Sequence, residues 1–359
     1  MKAIELQAPG KFRLRDDVGV PEPKPDQVRI QVTAAGICGT DVHICAGHPS
    51  MNKMVAPPVI LGHEFCGVID QIGSGVPADL GLAVDDYVSA EMHEVCRRCL
   101  ACQDGAFHAC MNHRIRGVNL DGAFADYMVV SCGNVVKLPR DLPPRVGAIL
   151  DPLGNAVHAA REVPVEDRRV AVIGYGPIGA MTAEVVQFVG AGHLFLVDVA
   201  QEALDRARDW VQRRGLSDRV TVLDGSKTNP VLEVVQATEG GVDVSLEMSG
   251  HPSGINNALG MTRPAGHVLN LGLPGGSDVT IKNFSQEYIF KGLTMHAIIG
   301  RKMMGTWHQM LDLLNRGLNV SDFVTTELDM TEFAYGVEQF GKGLTGKVVL
   351  YPQGVPAGV

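Results

Sequence analysis

The chain has 359 residues, 45% hydrophobic and 20% charged, with 42 Gly and 20 Pro, which is the composition of a globular protein with length enough for two domains. A formal net charge of -9, with no Lys/Arg cluster interleaved with aromatics, argues against nucleic acid as a partner. No run approaches the roughly 18 apolar residues of a membrane span, and the opening MKAIELQAPGKF lacks the apolar stretch of a signal peptide. The expectation is therefore a cytoplasmic protein whose eight cysteines serve metal binding or catalysis before disulfides.

In chain order, residues 1–150 alternate short β-rich runs with turn signals: VRIQVTAAG, VILGHEFCGVIDQIG, DDYVSAEM, FADYMVVS and NVVKLP, set apart by Gly, Pro and Asp. This pattern predicts a β-rich domain. Within it lie Cys38 in GICGTDVH and His63 in GHEFCGVIDQIG, each beside glycines that let the backbone turn sharply. A lone Cys or His is usually a packing residue. The company of Thr40, His43, Glu64 and the acid Asp151 in DPLGNAVH makes the pair candidate ligands of a reactive metal.

The stretch CRRCLACQDGAFHAC holds Cys96, Cys99, Cys102 and Cys110. Two-residue gaps let successive thiolates converge on one ion, and four thiolates close a tetrahedral zinc site with no position left for water or substrate. A zinc held there is structural. Spacing alone also admits an iron–sulfur cluster. Cys45, Cys66 and Cys132 lack such spacing and read as small core residues.

From about Arg168 the texture changes to strands followed by helical patterns of ten or more residues, predicting βαβ units on a parallel sheet over 151–292. Gly174, Gly176 and Gly179 form G-x-G-x-x-G between the apolar strand VAVI and a helical run. The first glycine permits the tight turn, the second admits a pyrophosphate, and the third lets helix pack on strand. Asp198 ends the next strand, HLFLVD, where an acid hydrogen-bonds ribose hydroxyls and repels a 2′-phosphate, so NAD is expected over NADP. Further strands are expected at VTVLDG, VDVSLEMSG and GHVLNLGLPGG; then come a helix in TWHQMLDLLNRGL, strand-like FVTTELDM, helical TEFAYGVEQFGKG and a closing KVVLYP. Pattern alone leaves open whether this tail, 293–359, is a third unit or returns to the β-rich domain.

GICGTDVH, GHEFCGVIDQIG, CRRCLACQDGAFHAC and GYGPIG, in this order, resemble the zinc-containing medium-chain alcohol dehydrogenase superfamily essentially end to end. DPLGNAVH, LEMSG, IIGRKMMGTW and TGKVVLYP are most similar to its threonine 3-dehydrogenase branch. The resemblance implies an α/β architecture: a GroES-like catalytic domain, a Rossmann doubly wound domain, a tail returning to the first, and an active site in the cleft. It implies a catalytic zinc surrounded by Cys38, His63 and Glu64, with Glu64 displaceable and Asp151 as the third or outer acid. It implies a proton relay through Thr40 and His43, and His93 near substrate. By the same matching, Ile178, Asp198, Leu271, Gly272, Leu273, Ile298 and Ile299 border NAD. The implied reaction is hydride transfer from a secondary alcohol, L-threonine giving 2-amino-3-oxobutanoate, and the implied assembly is a homotetramer. Two departures stand out. The branch's Tyr/Trp-rich segment is replaced by DVHICAGHPSMNK, closer to polyol or cyclitol dehydrogenases, and its adenine-side Arg is Ala203, with Arg206 one turn later.

Overall fold

The computed structural model describes residues 1–275 and 278–356; the last glycine of GHVLNLGLPGG and the three C-terminal residues lie outside them. The chain forms two compact units: Met1–Pro152 with Lys302–Leu311 and Val320–Val359, and Leu153–Arg301 with Asp312–Asn319. Among the described residues no helix is long and apolar enough to cross a membrane.

The first unit is built on a seven-stranded sheet whose order runs Val135–Lys137, Tyr87–Ala90, Glu64–Ile72, Gln27–Gly36, Lys347–Tyr351 and Val324–Asp329, with Tyr127–Ser131 also paired to Gln27–Gly36. Strand Gln27–Gly36 alternates, with Val28, Ile30, Val32 and Ala34 buried, the period-2 pattern of a sheet with one face on a core. The closing strand, KVVLY, is buried at every position, as expected of a central strand covered on both sides. It pairs antiparallel with Gln27–Gly36 and parallel with Val324–Asp329, so residues from opposite ends of the chain share one sheet.

The second unit carries a six-stranded parallel sheet in the order Val220–Asp224, His193–Asp198, Arg169–Ile173, Val242–Glu247, Thr262–Asn270, Thr294–Ala297. In order of appearance this is 3-2-1-4-5-6, the doubly wound dinucleotide-binding topology. The sixth strand lies beyond residue 292, where the sequence pattern ends this domain, because the four residues TMHA at 294–297 are a weak strand signal; only their pairing to Thr262–Asn270 reveals it. Helix Gln201–Arg214 is stopped by Gly215 in the left-handed region, φ 65°, the usual C-terminal cap. Asn229 caps helix Pro230–Thr238 through Val231 N–H and Leu232 N–H.

Candidate active site

Cys38 follows strand Gln27–Gly36 and is the N-cap of helix Gly39–Cys45. Its N–H donates to the Asp41 carboxylate at 2.9 Å, which fixes the entry into the helix. His63 precedes strand Glu64–Ile72 and is reached through Gly62 at φ 93°, where a Cβ would meet the Phe124 ring at 2.5 Å. The sheet register sets Glu64 opposite Gly36. The side chains of Cys38, His63 and Glu64 thereby converge, each offering a donor atom within 4.8 Å of the others.

This group is buried and electronegative. His63 is 8% and Glu64 1% exposed, and Asp41 is fully buried. His63 Nδ1, Glu64 Oε1 and Asp41 Oδ1 have no hydrogen-bond partner, and Asp41 Oδ1 lies 3.8 Å from His63 Nδ1. Burial pushes the Asp41 carboxyl up to about 6, against the pull of His63. Burial acts to lower His63, yet the negative charges of Asp41, Cys38 and Asp151 outweigh it and hold the imidazole well above its ordinary value. Buried donors without partners, in a field that favours positive charge, fit a cation. A thiolate, an imidazole and a carboxylate are the mixed set of a catalytic zinc site, which keeps a position open.

Three further buried residues escape the sequence pattern. Asp41, inside GICGTDVH, places Oδ1 3.8 Å from His63 Nδ1, near enough for its charge to act on the imidazole. Lys347, inside the quoted TGKVVLYP, is 1% exposed; its ammonium donates to Ile37 C=O at 2.6 Å and forms a tight ion pair with Glu64 Oε2. One oxygen of Glu64 is thus held by Lys347 and the other is left unpartnered. Glu91, 1% exposed, sits 2.6 Å from His93 Nδ1.

Of the remaining expected residues, Asp151 is 9% exposed in the first turn of helix Leu150–Arg161. It stands apart from the three convergent donors, although its charge acts on His63. Thr40 and His43 lie on one helix, three residues apart and therefore on a shared face. Thr40 is half-buried and His43 is exposed, with His43 packed edge-on against His48 at 5.3 Å.

The four clamp cysteines also converge, their sulfurs within 4.8 Å of one another. Cys110 Sγ lies 3.6 Å from Cys96 Sγ and 3.9 Å from Cys99 Sγ, close to the ~3.8 Å tetrahedral edge that a Zn–S bond of about 2.3 Å implies. Arg97, at φ 55°, turns the chain between the first two cysteines, and Cys99 caps helix Leu100–Gln103. The backbone N–H groups of Arg98 and Cys99 draw the Cys96 thiol down to about 6, whereas burial pushes Cys102 up to about 12. This donor set fits a closed zinc site.

In the second unit the expected nucleotide residues gather at the C-terminal ends of the parallel strands. Gly174 follows strand Arg169–Ile173 at φ 95°, and a Cβ there would stand 2.8 Å from Ser249 N. Gly176 is the N-cap of helix Pro177–Phe188, whose first turn carries Pro177 and Ile178. Gly179 is packed so tightly on the Gly174 carbonyl that no side chain fits. Leu271, Gly272 and Leu273 follow strand Thr262–Asn270, and Ile298 and Ile299 follow strand Thr294–Ala297; Leu273 is 89% and Ile299 55% exposed, whereas Ile298 is buried. Asp198 ends strand His193–Asp198 and accepts from Tyr175 N at 2.6 Å and from Val199 N at 2.7 Å, so it also ties down the glycine turn. Glu247, fully buried and not singled out from LEMSG, accepts from Ser249 N at 2.9 Å and Gly250 N at 3.1 Å, bracing the neighbouring strand-end turn. The residues fit a dinucleotide, since backbone N–H groups at a helix N-terminus are open to phosphate where a Cβ at Gly176 would meet nothing within 4 Å.

A β-rich unit with a mixed Cys/His/carboxylate cluster and a four-thiol clamp, on one chain with a doubly wound sheet, defines a zinc-dependent nicotinamide dehydrogenase. The chain belongs to the zinc-binding alcohol dehydrogenase family: the alcohol dehydrogenase GroES-like domain matches residues 24–140 and the zinc-binding dehydrogenase domain residues 177–316. It is 40% identical to the L-threonine 3-dehydrogenase of Bacillus licheniformis, covering 98% of this chain and 99% of that protein. It is 39% identical to that of Pyrococcus horikoshii, covering 97% and 98%. Among solved structures it is similar to a zinc-binding dehydrogenase from Sinorhizobium meliloti bound to NADP, with TM-score 0.87, 27% identity and coverage of 98% and 99%. It is also similar to 2R,3R-butanediol dehydrogenase from Bacillus subtilis, with TM-score 0.84, 26% identity and the same coverage. The protein is thus an oxidoreductase that uses zinc and a nicotinamide dinucleotide on an alcohol.

Proposed function

We propose that this enzyme oxidises the β-hydroxyl of L-threonine to 2-amino-3-oxobutanoate with NAD, using one catalytic and one structural zinc. The observation that carries this reading is 40% identity to an L-threonine 3-dehydrogenase along 98% of the chain. Residues of the first unit act as the catalytic domain and those of the second as the NAD domain. When bound, zinc polarises the alcohol oxygen as a Lewis acid and NAD accepts the hydride. Cys38, His63 and Glu64 would hold the catalytic zinc with Asp151 as the outer acid, and Cys96, Cys99, Cys102 and Cys110 the structural one. Thr40 Oγ1 would accept the hydroxyl proton while giving up its own, and His43, exposed on the same helix face, would take up a relayed proton and release it to solvent, a task that suits an imidazole near neutral pH. Asp198 supports NAD over NADP because its carboxylate repels a 2′-phosphate. The reading extends to a cytoplasmic homotetramer. Eight free thiols suit a reducing compartment, and the outer edge of strand Thr294–Ala297, with Ile289 54% and Phe290 76% exposed nearby in sequence, suits self-association.

The segment CAGHPSMNK, without aromatic residues, favours a polyol or cyclitol as the second reading. The deciding experiment is steady-state reduced-cofactor formation with NAD or NADP over L-threonine, other β-hydroxy amino acids, sorbitol, inositol and simple secondary alcohols. The expected result is the highest kcat/KM with L-threonine and NAD; turnover of sorbitol or inositol with none on threonine rejects the reading.

A further inference from the structure

Glu247 is a carboxylate removed from water with no cation beside it. It is fully buried, and among the described residues no lysine, arginine or histidine forms an ion pair with it. Only neutral groups donate to it. Oε1 accepts from Ser249 N–H at 2.9 Å, from the Ser249 hydroxyl in a tight bond, and from Gly250 N–H at 3.1 Å, a donor that Oε2 shares at 3.1 Å. Helix Pro252–Met261 begins next to it, since a Cβ at Gly254 would stand 2.6 Å from Oε1. The positive end of a helix amounts to about half a unit charge, so it offsets the carboxylate only in part.

The sheet fixes where this charge lies. Strand Val242–Glu247 sits next to Arg169–Ile173, at the point where the strand order reverses, and a dinucleotide lies in the crevice outside the carboxyl ends of the strands there. Glu247 is the last residue of that strand, opposite Ile173 on one side and Asn270 on the other. Its turn packs against both loops that rim the crevice. A Cβ at Gly174 would meet Ser249 N at 2.8 Å, and one at Gly272 would meet Glu247 Oε2 at 2.6 Å. The Glu247 carbonyl also accepts from Leu271 N–H at 3.0 Å and Gly272 N–H at 3.1 Å. Asn270 adds a buried Oδ1 that no donor meets, so this end of the sheet is electronegative.

We propose that the buried charge of Glu247 makes the crevice favour the oxidised nicotinamide cofactor over the reduced one. The proposal rests on the reading above for Asp198 at the adenosine ribose, which assigns the first three strands to adenosine and leaves the last three, headed by Val242–Glu247, to the nicotinamide half. The oxidised ring carries a positive charge and the reduced ring carries none. A fixed negative charge below the crevice therefore stabilises the first state and leaves the second unchanged. Glu247 touches no cofactor atom, being covered by the turns at Gly250 and Gly272, and it acts through its field and through those turns. The sign of the bias suits alcohol oxidation, because the cofactor is held while it is a cation and released more readily once it has taken the hydride.

Glu247→Gln removes the charge and keeps the shape, and its amide oxygen can still accept from Ser249 N–H and Gly250 N–H. Dissociation constants of NAD, NADH and ADP-ribose are measured by titration calorimetry on zinc-loaded enzyme without alcohol. The expected result is that the constant for NAD rises about tenfold relative to that for NADH, equivalent to a ~30 mV rise in the midpoint potential of the bound couple. ADP-ribose has the same pyrophosphate and no ring, and moves with NADH. Glu247→Asp keeps the charge on a shorter arm, and is expected to weaken all three ligands by one factor and hold the ratio. A merely structural role shifts NAD and NADH equally in both variants. That outcome overturns the proposal, as does a ratio lost in Glu247→Asp. An enzyme that takes NADP in place of NAD rejects the cofactor reading instead, and the ratio measured with NADP and NADPH then decides the role of Glu247. Should neither variant fold, the wild type carries the test: it is expected to bind NAD more tightly than benzamide adenine dinucleotide, its uncharged isostere, and equal affinity overturns the proposal.

Discussion

Lys347 and Glu64 show how much a single ion pair does at this site. Both are about 1% exposed, and their pairing leaves Glu64 Oε1 unpartnered beside Cys38 and His63. Lys347→Met strands a buried carboxylate, and breaking a buried pair from one side costs about 3–5 kcal/mol. The expected outcome is an unfolding free energy, from denaturant titration, lowered by about that amount; an unchanged unfolding free energy counts against the arrangement. Cys38, His63, Glu64 and the clamp cysteines are legible in the sequence as candidate ligands, because Cys, His and carboxylates are chemically distinctive residue types, the first pair set beside glycines and the clamp set by its two-residue spacing. Asp41 and Lys347 are not, although both lie in quoted segments. An acid at the third position of a helix is usually a cap, and nothing local says that a lysine near the C-terminus ends inside a core beside residue 64.

At the scale of elements, the clamp from Cys96 to Cys110 is a lobe with little regular structure, one turn of helix at Leu100–Gln103 and a short 3-10 turn at Phe107–Ala109. Part of its apolar surface faces solvent: Leu100 is 73% exposed, as is Met111 just beyond it at 75%. Such a segment has little burial to hold it together, and the structural zinc proposed for its four thiols would supply the constraint instead. Cys99→Ser is therefore expected to lose one zinc equivalent and to raise protease sensitivity within residues 96–110 before activity falls. A variant with intact zinc content and unaltered proteolysis would sink this account, as would one that folds normally and is inactive. The Rossmann elements are readable in advance because each strand and helix has its own period. The strand Thr294–Ala297 is not, because four residues at a sheet edge carry too short a pattern, and its identity comes from its neighbour.

On the level of the whole molecule, the two halves of the first unit's sheet come from the two ends of the chain, with Val349 opposite Gly36 and Leu350 opposite Ala35. The C-terminal strand thereby becomes a structural partner of the site, since it brings in Lys347. The sixth strand of the second unit leaves one edge of the parallel sheet unpaired among the described residues, and exposed sheet edges invite pairing with another chain. If the enzyme assembles there, Phe290→Asp shifts the mass measured by light scattering on a sizing column from tetramer to a smaller species. A wild-type monomer, or a Phe290→Asp tetramer, removes that edge from consideration.

What the sequence by itself determined was whatever is encoded locally: the alternation of strands, the glycine turn with its ribose acid, the two-residue thiol spacing, and the candidate ligands. These follow from covalent geometry and side-chain chemistry within a few residues. Only the tertiary structure decided which oxygen of Glu64 is taken by Lys347, that Asp41 faces His63, and that Glu91 holds His93 on one side and Trp307 on the other. The contacts of Lys347 with Glu64 and of Trp307 with Glu91 join residues 283 and 216 positions apart. Burial turns such distant pairs into the strongest interactions of the site, because charges and hydrogen bonds removed from water must be answered by whatever the fold brings beside them.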